Sequence, residues 1–235
     1  MNAGGVRLRP KGLIVAIDGP SGAGKSTITR LLSQRLGYLH IDTGAMYRAV
    51  ALAVKRAGVS ADDEEALARL CQGVEIGFVR TDGCCRVLLN GEDVSAAIRT
   101  PDISMLTSRV SAKKPVRDIM VRLQQELGRD GGVVLEGRDI GTVVFPDADV
   151  KFYLSASAQE RGKRRYLELK AKGEDVSLER TIAEVEQRDR QDAQREHAPL
   201  RRADDALDVD STGLSIEEVL ALMEEKIKER LAASC

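Results

Sequence analysis

The sequence predicts an α/β fold: a parallel sheet of five strands with helices on both faces. Short apolar runs alternate with helical patterns over most of the 235 residues. The first run leads straight into a glycine-rich turn and an amphipathic helix, the order a phosphate-binding loop requires. One stretch alone, about 73–96, breaks the rhythm with antiparallel signals and reads as an insert.

Leu13-Ile14-Val15-Ala16-Ile17 is continuously apolar, the mark of a strand buried on both faces, and the strand is placed at 13–18. The turn that follows, Gly19-Pro20-Ser21-Gly22-Ala23-Gly24-Lys25-Ser26-Thr27, fits Gly-x-x-x-x-Gly-Lys-Ser/Thr. Its glycines let the backbone turn tightly and approach a ligand, and its N–H groups make a nest for anions. The next helix adds its positive end. Lys25 is placed to reach the β- and γ-phosphates and Ser26 to ligate Mg²⁺. Ile28, Leu31, Leu32 and Leu36 give that helix its apolar stripe.

A second strand is expected at 37–42. In the insert, Val74 to Val79 and Arg86 to Leu89 alternate around Thr81-Asp82-Gly83 and Asn90-Gly91, the pattern of hairpins. Helices are expected over about 102–112 and 115–128, then strands at 133–137 and 150–155. Ser157 and Glu160 form a capping box that opens a highly charged helical stretch, 158–196. Its arginines include Arg161, Arg164, Arg165, Arg188, Arg190 and Arg195. Arg188, Asp192 and Arg195 share one face at helical spacing. A charge run is ordinarily a solvated surface, but beside a phosphate loop these forked cations suit a lid over phosphates. A last strand at 206–210 precedes a helix with a second capping box, Ser215 and Glu218, and the stripe Ile216, Val219, Leu220, Met223, Ile227 and Leu231.

Bulk properties narrow the function. The formal net charge is −1, so nothing draws the whole chain to nucleic acid or acidic membranes. Aromatic residues are 3% with no Trp, too few for base-stacking platforms. Cys71, Cys84, Cys85 and Cys235 form no C-x-x-C pair, and His40 and His197 are the only histidines, so a structural zinc site is not expected. This cysteine usage suits a reducing cytoplasm. No apolar run approaches the length of a membrane span, and Met1 to Lys11 reads as a frayed tail rather than a secretory signal. A GTPase would need Asn-Lys-x-Asp, yet neither Asn2 nor Asn90 precedes a lysine. At the end of the 133–137 strand, Glu136-Gly137-Arg138-Asp139 sets a guanidinium between acids, which suits an anionic acceptor better than a water nucleophile.

The phosphate loop, Asp42-Thr43-Gly44-Ala45-Met46-Tyr47-Arg48, Glu136 to Thr142, and Arg188-Asp189-Arg190-Gln191-Asp192 together resemble the bacterial cytidylate kinase family, over about 13–230. The resemblance implies a three-layer P-loop kinase with a small antiparallel β insert in its nucleoside-monophosphate region (about 62–128) and a helical lid (about 158–196), all within one domain. It implies transfer of the ATP γ-phosphoryl to CMP or dCMP with Mg²⁺, by a cytoplasmic monomer. Ser21, Lys25, Arg48 and Arg138 match positions that gather phosphates. Ser108, Arg117 and Asp192 match readers of cytosine. Thr43, Asp139 and Arg195 match contacts to the nucleoside, Thr43 adding a methyl where some relatives carry Ser. Arg164, Arg165 and Arg188 match lid cations. The residues themselves leave two other readings open: a kinase of UMP, AMP or a non-nucleotide acceptor, and a nucleotide-binding regulator without turnover.

Overall fold

The computed structural model describes residues 10–81, 84–171, 173–195 and 198–232. The tail at 1–9, the turn residues Asp82 and Gly83, His197 and Cys235 lie outside them. The chain divides into two compact units, Met1–His40 with Gly128–Cys235, and Ile41–Leu127.

The larger unit carries the sheet. Its strands are β1 (Ile14–Asp18), β2 (Leu39–Asp42), β6 (Val133–Gly137), β7 (Val150–Ser155) and β8 (Leu207–Asp210), in the order β2-β6-β1-β7-β8. β1 pairs in parallel with β6 and β7, and β7 with β8. Every residue of β1 and β6 is buried, which is why both read as unbroken apolar runs. The register sets Asp18 opposite Gly137, so the loops after β1 and β6 leave the same end of the sheet side by side.

Helices α1 (Lys25–Leu36) and α8 (Ile216–Ala232) pack together and share a core with β1 and β7: Val15, Ile17, Ile28, Leu32, Phe152, Leu154, Leu220 and Met223. Both capping boxes hold, one of them in part. Ser215 and Glu218 exchange bonds as a complete box at the start of α8. Ser157 accepts the Glu160 N–H at 3.2 Å, but the Glu160 carboxylate is taken by Arg164 one turn on. The α8 stripe departs from expectation at Ile216, which is 48% exposed because the capped first turn stands in solvent. α6 (Ala158–Ala171) and α7 (Leu178–Ala193) form a packed helical pair within the expected lid. Gly162 makes that pair close, since a Cβ there would stand 2.4 Å from Ile182 Cγ1.

The smaller unit is built on α2 (Thr43–Ala57), whose Met46, Ala49, Val50 and Val54 are wholly buried. Around it lie α3 (Glu64–Gln72), α4 (Pro101–Val110) and β4, and the unit also contains α5, which spans Lys114–Gly128. The insert is the antiparallel sheet β3-β4-β5: Ile76–Thr81, Cys84–Leu89 and Glu92–Asp93. The Asn90-Gly91 turn forms as the dipeptide requires, with φ of 50° and 84° at its two residues.

Ile227 has no exposed surface and sits in the α8 core, so Ile227→Ala should cost about 2–5 kcal/mol of stability. Urea denaturation of the two proteins measures this directly.

Candidate active site

The glycine turn closes β1 and opens α1. Gly19 has φ 149°, and a Cβ there would lie 2.0 Å from the Leu154 carbonyl oxygen, so no other residue fits. At the other end Gly24 is the N-cap of α1 and makes no side-chain cap bond, which leaves the first N–H groups of the helix facing the loop. Lys25 is buried, and its ammonium donates to the Gly19 and Pro20 carbonyls, both at 2.7 Å. Burial first, and then the positive charge of Arg138, hold the Lys25 pKa well below the usual lysine range, and Arg188 pushes the same way.

Those cations come from different elements. Arg138 follows β6 directly. Its Nε donates to Asp192 on α7 at 2.8 Å. Arg195 stands on the other side of Asp192, 2.5 Å from Oδ1, so both carboxylate oxygens face guanidinium groups. Asp192 is buried; burial raises its pKa, but the charges of Arg138 and Arg195 outweigh this and the net direction is down. Spacing alone would have paired Asp192 with Arg188 on a solvated face. The structure instead ends α7 at Ala193, and Arg195 folds back from beyond the helix.

Three buried acids stand at the ends of β1 and β6. Asp18, at the end of β1, accepts from the Ile140 and Gly141 N–H groups at 2.8 and 2.7 Å. Burial pushes its carboxyl up to about 6, against the pull of those two bonds. Glu136 is buried at the end of β6 and accepts the Ser26 hydroxyl at 2.7 Å. Its other oxygen lies 3.0 Å from His40 Nε2. Asp139 is buried just beyond Arg138, before a single π turn at Ile140–Val144.

Arg161 is the structural surprise of α6. It is buried, forks onto Asp189 at 3.0 and 2.6 Å, and donates to the carbonyls of Ala156 and Ser21. Gly22 makes room for it, since a Cβ there would meet Arg161 Cβ at 3.1 Å. Arg161 therefore fastens the phosphate loop to both α6 and α7. Arg164 donates to Ser211 and Glu160, close to Gly24. Arg165 is exposed and pairs with Glu168, and Arg188 is exposed too.

Thr43, Arg48, Ser108 and Arg117 belong to the smaller unit. Asp42 caps α2 by accepting the Ala45 N–H at 2.8 Å, and its second oxygen holds Arg48 at 3.1 Å. Thr43 is buried in the first turn. The Arg48 Nε is buried and meets no acceptor. Arg117, which by position is a first-turn surface residue, is instead buried with its guanidinium 5.8 Å from the centre of the Tyr47 ring. Ser108 bonds back to its own helix at the Ser104 carbonyl, 3.5 Å away.

Asp18, His40, Arg161 and Asp189 were not singled out from sequence as site residues. Asp189 carried a signal as part of the Arg188-to-Asp192 run, and Arg161 as one of the arginines of the charged stretch; the partners of Asp18, His40 and Arg161 lie 96 or more positions away along the chain or on another helix.

The chain is similar to known proteins along nearly its whole length. A family model described as cytidylate kinase matches residues 15–229. The chain is 70% identical over 224 residues to a cytidylate kinase of Geobacter sulfurreducens, covering 95% of this chain and 96% of that one. It is 65% identical to a cytidylate kinase of Citrifermentans bemidjiense (96% and 97% covered) and 47% identical to one of Bacillus subtilis (94% and 98%).

Arg161→Lys keeps the charge but cannot make the fork to Asp189, so it should destabilise the chain by about 3 kcal/mol. Chemical denaturation is the check, with weakened ATP binding as the accompanying result.

Proposed function

The chain belongs to the cytidylate kinase family, and we infer from that membership and from the site chemistry that it transfers the γ-phosphoryl group of ATP to CMP or dCMP, giving CDP or dCDP and ADP. The observation that carries this reading is geometric: Lys25, on the glycine turn after β1, and Arg138, directly after the neighbouring β6, stand at one end of one sheet. Like charges brought together in a buried place are costly unless an anion joins them. Polyphosphate supplies that anion.

The nucleophile is a phosphate oxygen of the acceptor. A phosphate monoester loses its second proton near pH ~6, so at neutral pH it needs no strong general base. The obstacle is the approach of one polyanion to another. Catalysis is then positioning and neutralisation. In this reading the 19–27 loop, with Lys25, binds the ATP phosphates, while Ser21, Lys25, Arg48 and Arg138 gather the acceptor phosphate and the moving group. Arg164, Arg165 and Arg188 act as lid cations over 158–196, and closure keeps water from the γ-phosphate. Thr43, Asp139 and Arg195 hold the nucleoside, and Ser108, Arg117 and Asp192 read cytosine within the 62–128 insert and the lid. The buried Arg48 Nε without an acceptor supports a ligand-facing role. Although Asp192 already faces two arginines, a carboxylate has about four acceptor positions, and the remainder suffice for the N4 amino group.

The residues fit Mg²⁺. Ser26 and the acids beside it offer hard oxygen donors, and among the described residues no group of three or more His, Cys, Asp or Glu side chains forms a cage of its own. That suits an ion carried in by phosphates and held by one or two protein oxygens, with Ser26 as the protein ligand. When bound, Mg²⁺ neutralises charge on the β- and γ-phosphates. No helix among the described residues is long and apolar enough to cross a membrane, which supports a cytoplasmic enzyme; action as a monomer completes the reading.

The test is ADP release with CMP, dCMP, UMP and AMP as acceptors. CMP and dCMP should exceed the others by at least about tenfold in kcat/KM. ATP binding without acceptor-dependent ADP release would sink the proposal. Lys25→Ala should lower kcat by about 10²–10³-fold with the fold intact. Asp192→Asn should narrow the CMP/UMP preference about tenfold; a parallel fall with both acceptors would mean that Asp192 only organises its arginines.

A further inference from the structure

A chain of three side chains leads from the second strand to the phosphate loop. His40 on β2 lies 3.0 Å from Glu136 on β6, and Glu136 accepts the Ser26 hydroxyl on α1. All three sit in the larger unit, and β2 and β6 are neighbours in its sheet.

A serine hydroxyl has one hydrogen and two lone pairs. A hard cation needs a lone pair and is repelled by the hydrogen. Left alone, the O–H rotates. Here its hydrogen is committed to Glu136 Oε2 at 2.7 Å, so the lone pairs are left for another partner. Glu136 therefore decides which way Ser26 faces. A carboxylate on a flexible stem has its own freedom, because its last torsion is broad. A bond on each of its two oxygens holds the carboxylate plane more firmly than a bond on one. The second bond is the one from the imidazole. His40 is suited to give it: its side chain is only 13% exposed, and it is anchored on a strand rather than a loop.

We propose that His40 is a positioning residue for the metal-binding hydroxyl of Ser26, acting through Glu136 with its Nε2–H as donor. It touches neither nucleotide nor ion. This rests on the phosphoryl-transfer reading above and adds a residue that composition and motif spacing leave unassigned. Groups that hold a metal ligand in place commonly change metal affinity by about 10–100-fold when removed. His40 acts one residue further out, so the low end is expected.

The experiment is calorimetric binding of ATP to the full chain, without acceptor, in excess Mg²⁺ and again in EDTA. His40→Leu removes the donor, and His40→Gln restores an N–H at similar reach. Leu should lose about tenfold of the gain in ATP affinity that Mg²⁺ confers, with metal-free binding unchanged, and Gln should recover most of it. A Leu variant with the wild-type Mg²⁺ gain overturns the proposal. So does an equal loss with and without Mg²⁺, which marks a purely structural role. A second measurement needs no variant: ¹⁵N NMR of wild-type His40 should show the Nε2-protonated tautomer, and the Nδ1-protonated form would overturn the proposal. Wild-type ATP affinity indifferent to Mg²⁺ would instead bring down the metal reading itself, and this inference with it.

Discussion

Repulsion among cations is the constraint on which the rest of the site depends. Lys25, Arg138 and Arg188 come from an α-helix start, a strand end and a second helix, and the two guanidinium charges add to burial in lowering the Lys25 pKa. The protein manages this with partners that can be exchanged. The Gly19 and Pro20 carbonyls hold Lys25, and Asp192 holds Arg138 and Arg195. A carbonyl dipole is a weaker partner for an ammonium than a phosphate is. The Gly19 and Pro20 carbonyls thus hold Lys25 without matching what a phosphate offers.

The parallel sheet makes such crowding achievable. In register, Asp18 faces Gly137, so the loops beginning at Gly19 and Arg138 cannot be far apart. Asp18 reinforces this by accepting the backbone N–H groups of Ile140 and Gly141. The strand pairing does the coarse placement and one buried carboxylate does the fine placement. Its carboxyl is pushed up to about 6 by burial, a sign that the protein keeps an awkward acid there for geometry.

The fold was legible where a local rule acts alone. The buried strands β1 and β6 announce themselves as apolar runs, and all five strands of the sheet fall within two residues of their expected places. Asn90-Gly91 turns as its two positive φ values demand. The rules failed where two of them compete. Glu160 does not close its capping box, because the Ser157 N–H donates to Thr212 from the segment after β8 while the Glu160 carboxylate pairs with Arg164. Ile216 fits the α8 period but lies in a first turn whose cap belongs to water.

The site divides along the same line. Contiguous motifs exposed the phosphate loop and Arg138, because their chemistry is written in adjacent residues. Arg161 and Arg165 illustrate the opposite. Both stand in one charge run, four positions apart, and composition gives no way to rank them. Arg161 turns inward to Asp189 and the Ser21 carbonyl; Arg165 turns outward to Glu168. At i and i+4 the two share one face of α6, so helix phase does not separate them; Arg161, a turn nearer the phosphate loop, is the one that reaches the Ser21 carbonyl. Gly22 of the loop packs directly against Arg161, and so that arginine becomes part of the loop's support. Charge supplies the chemistry of this site, but close packing chooses which charges take part.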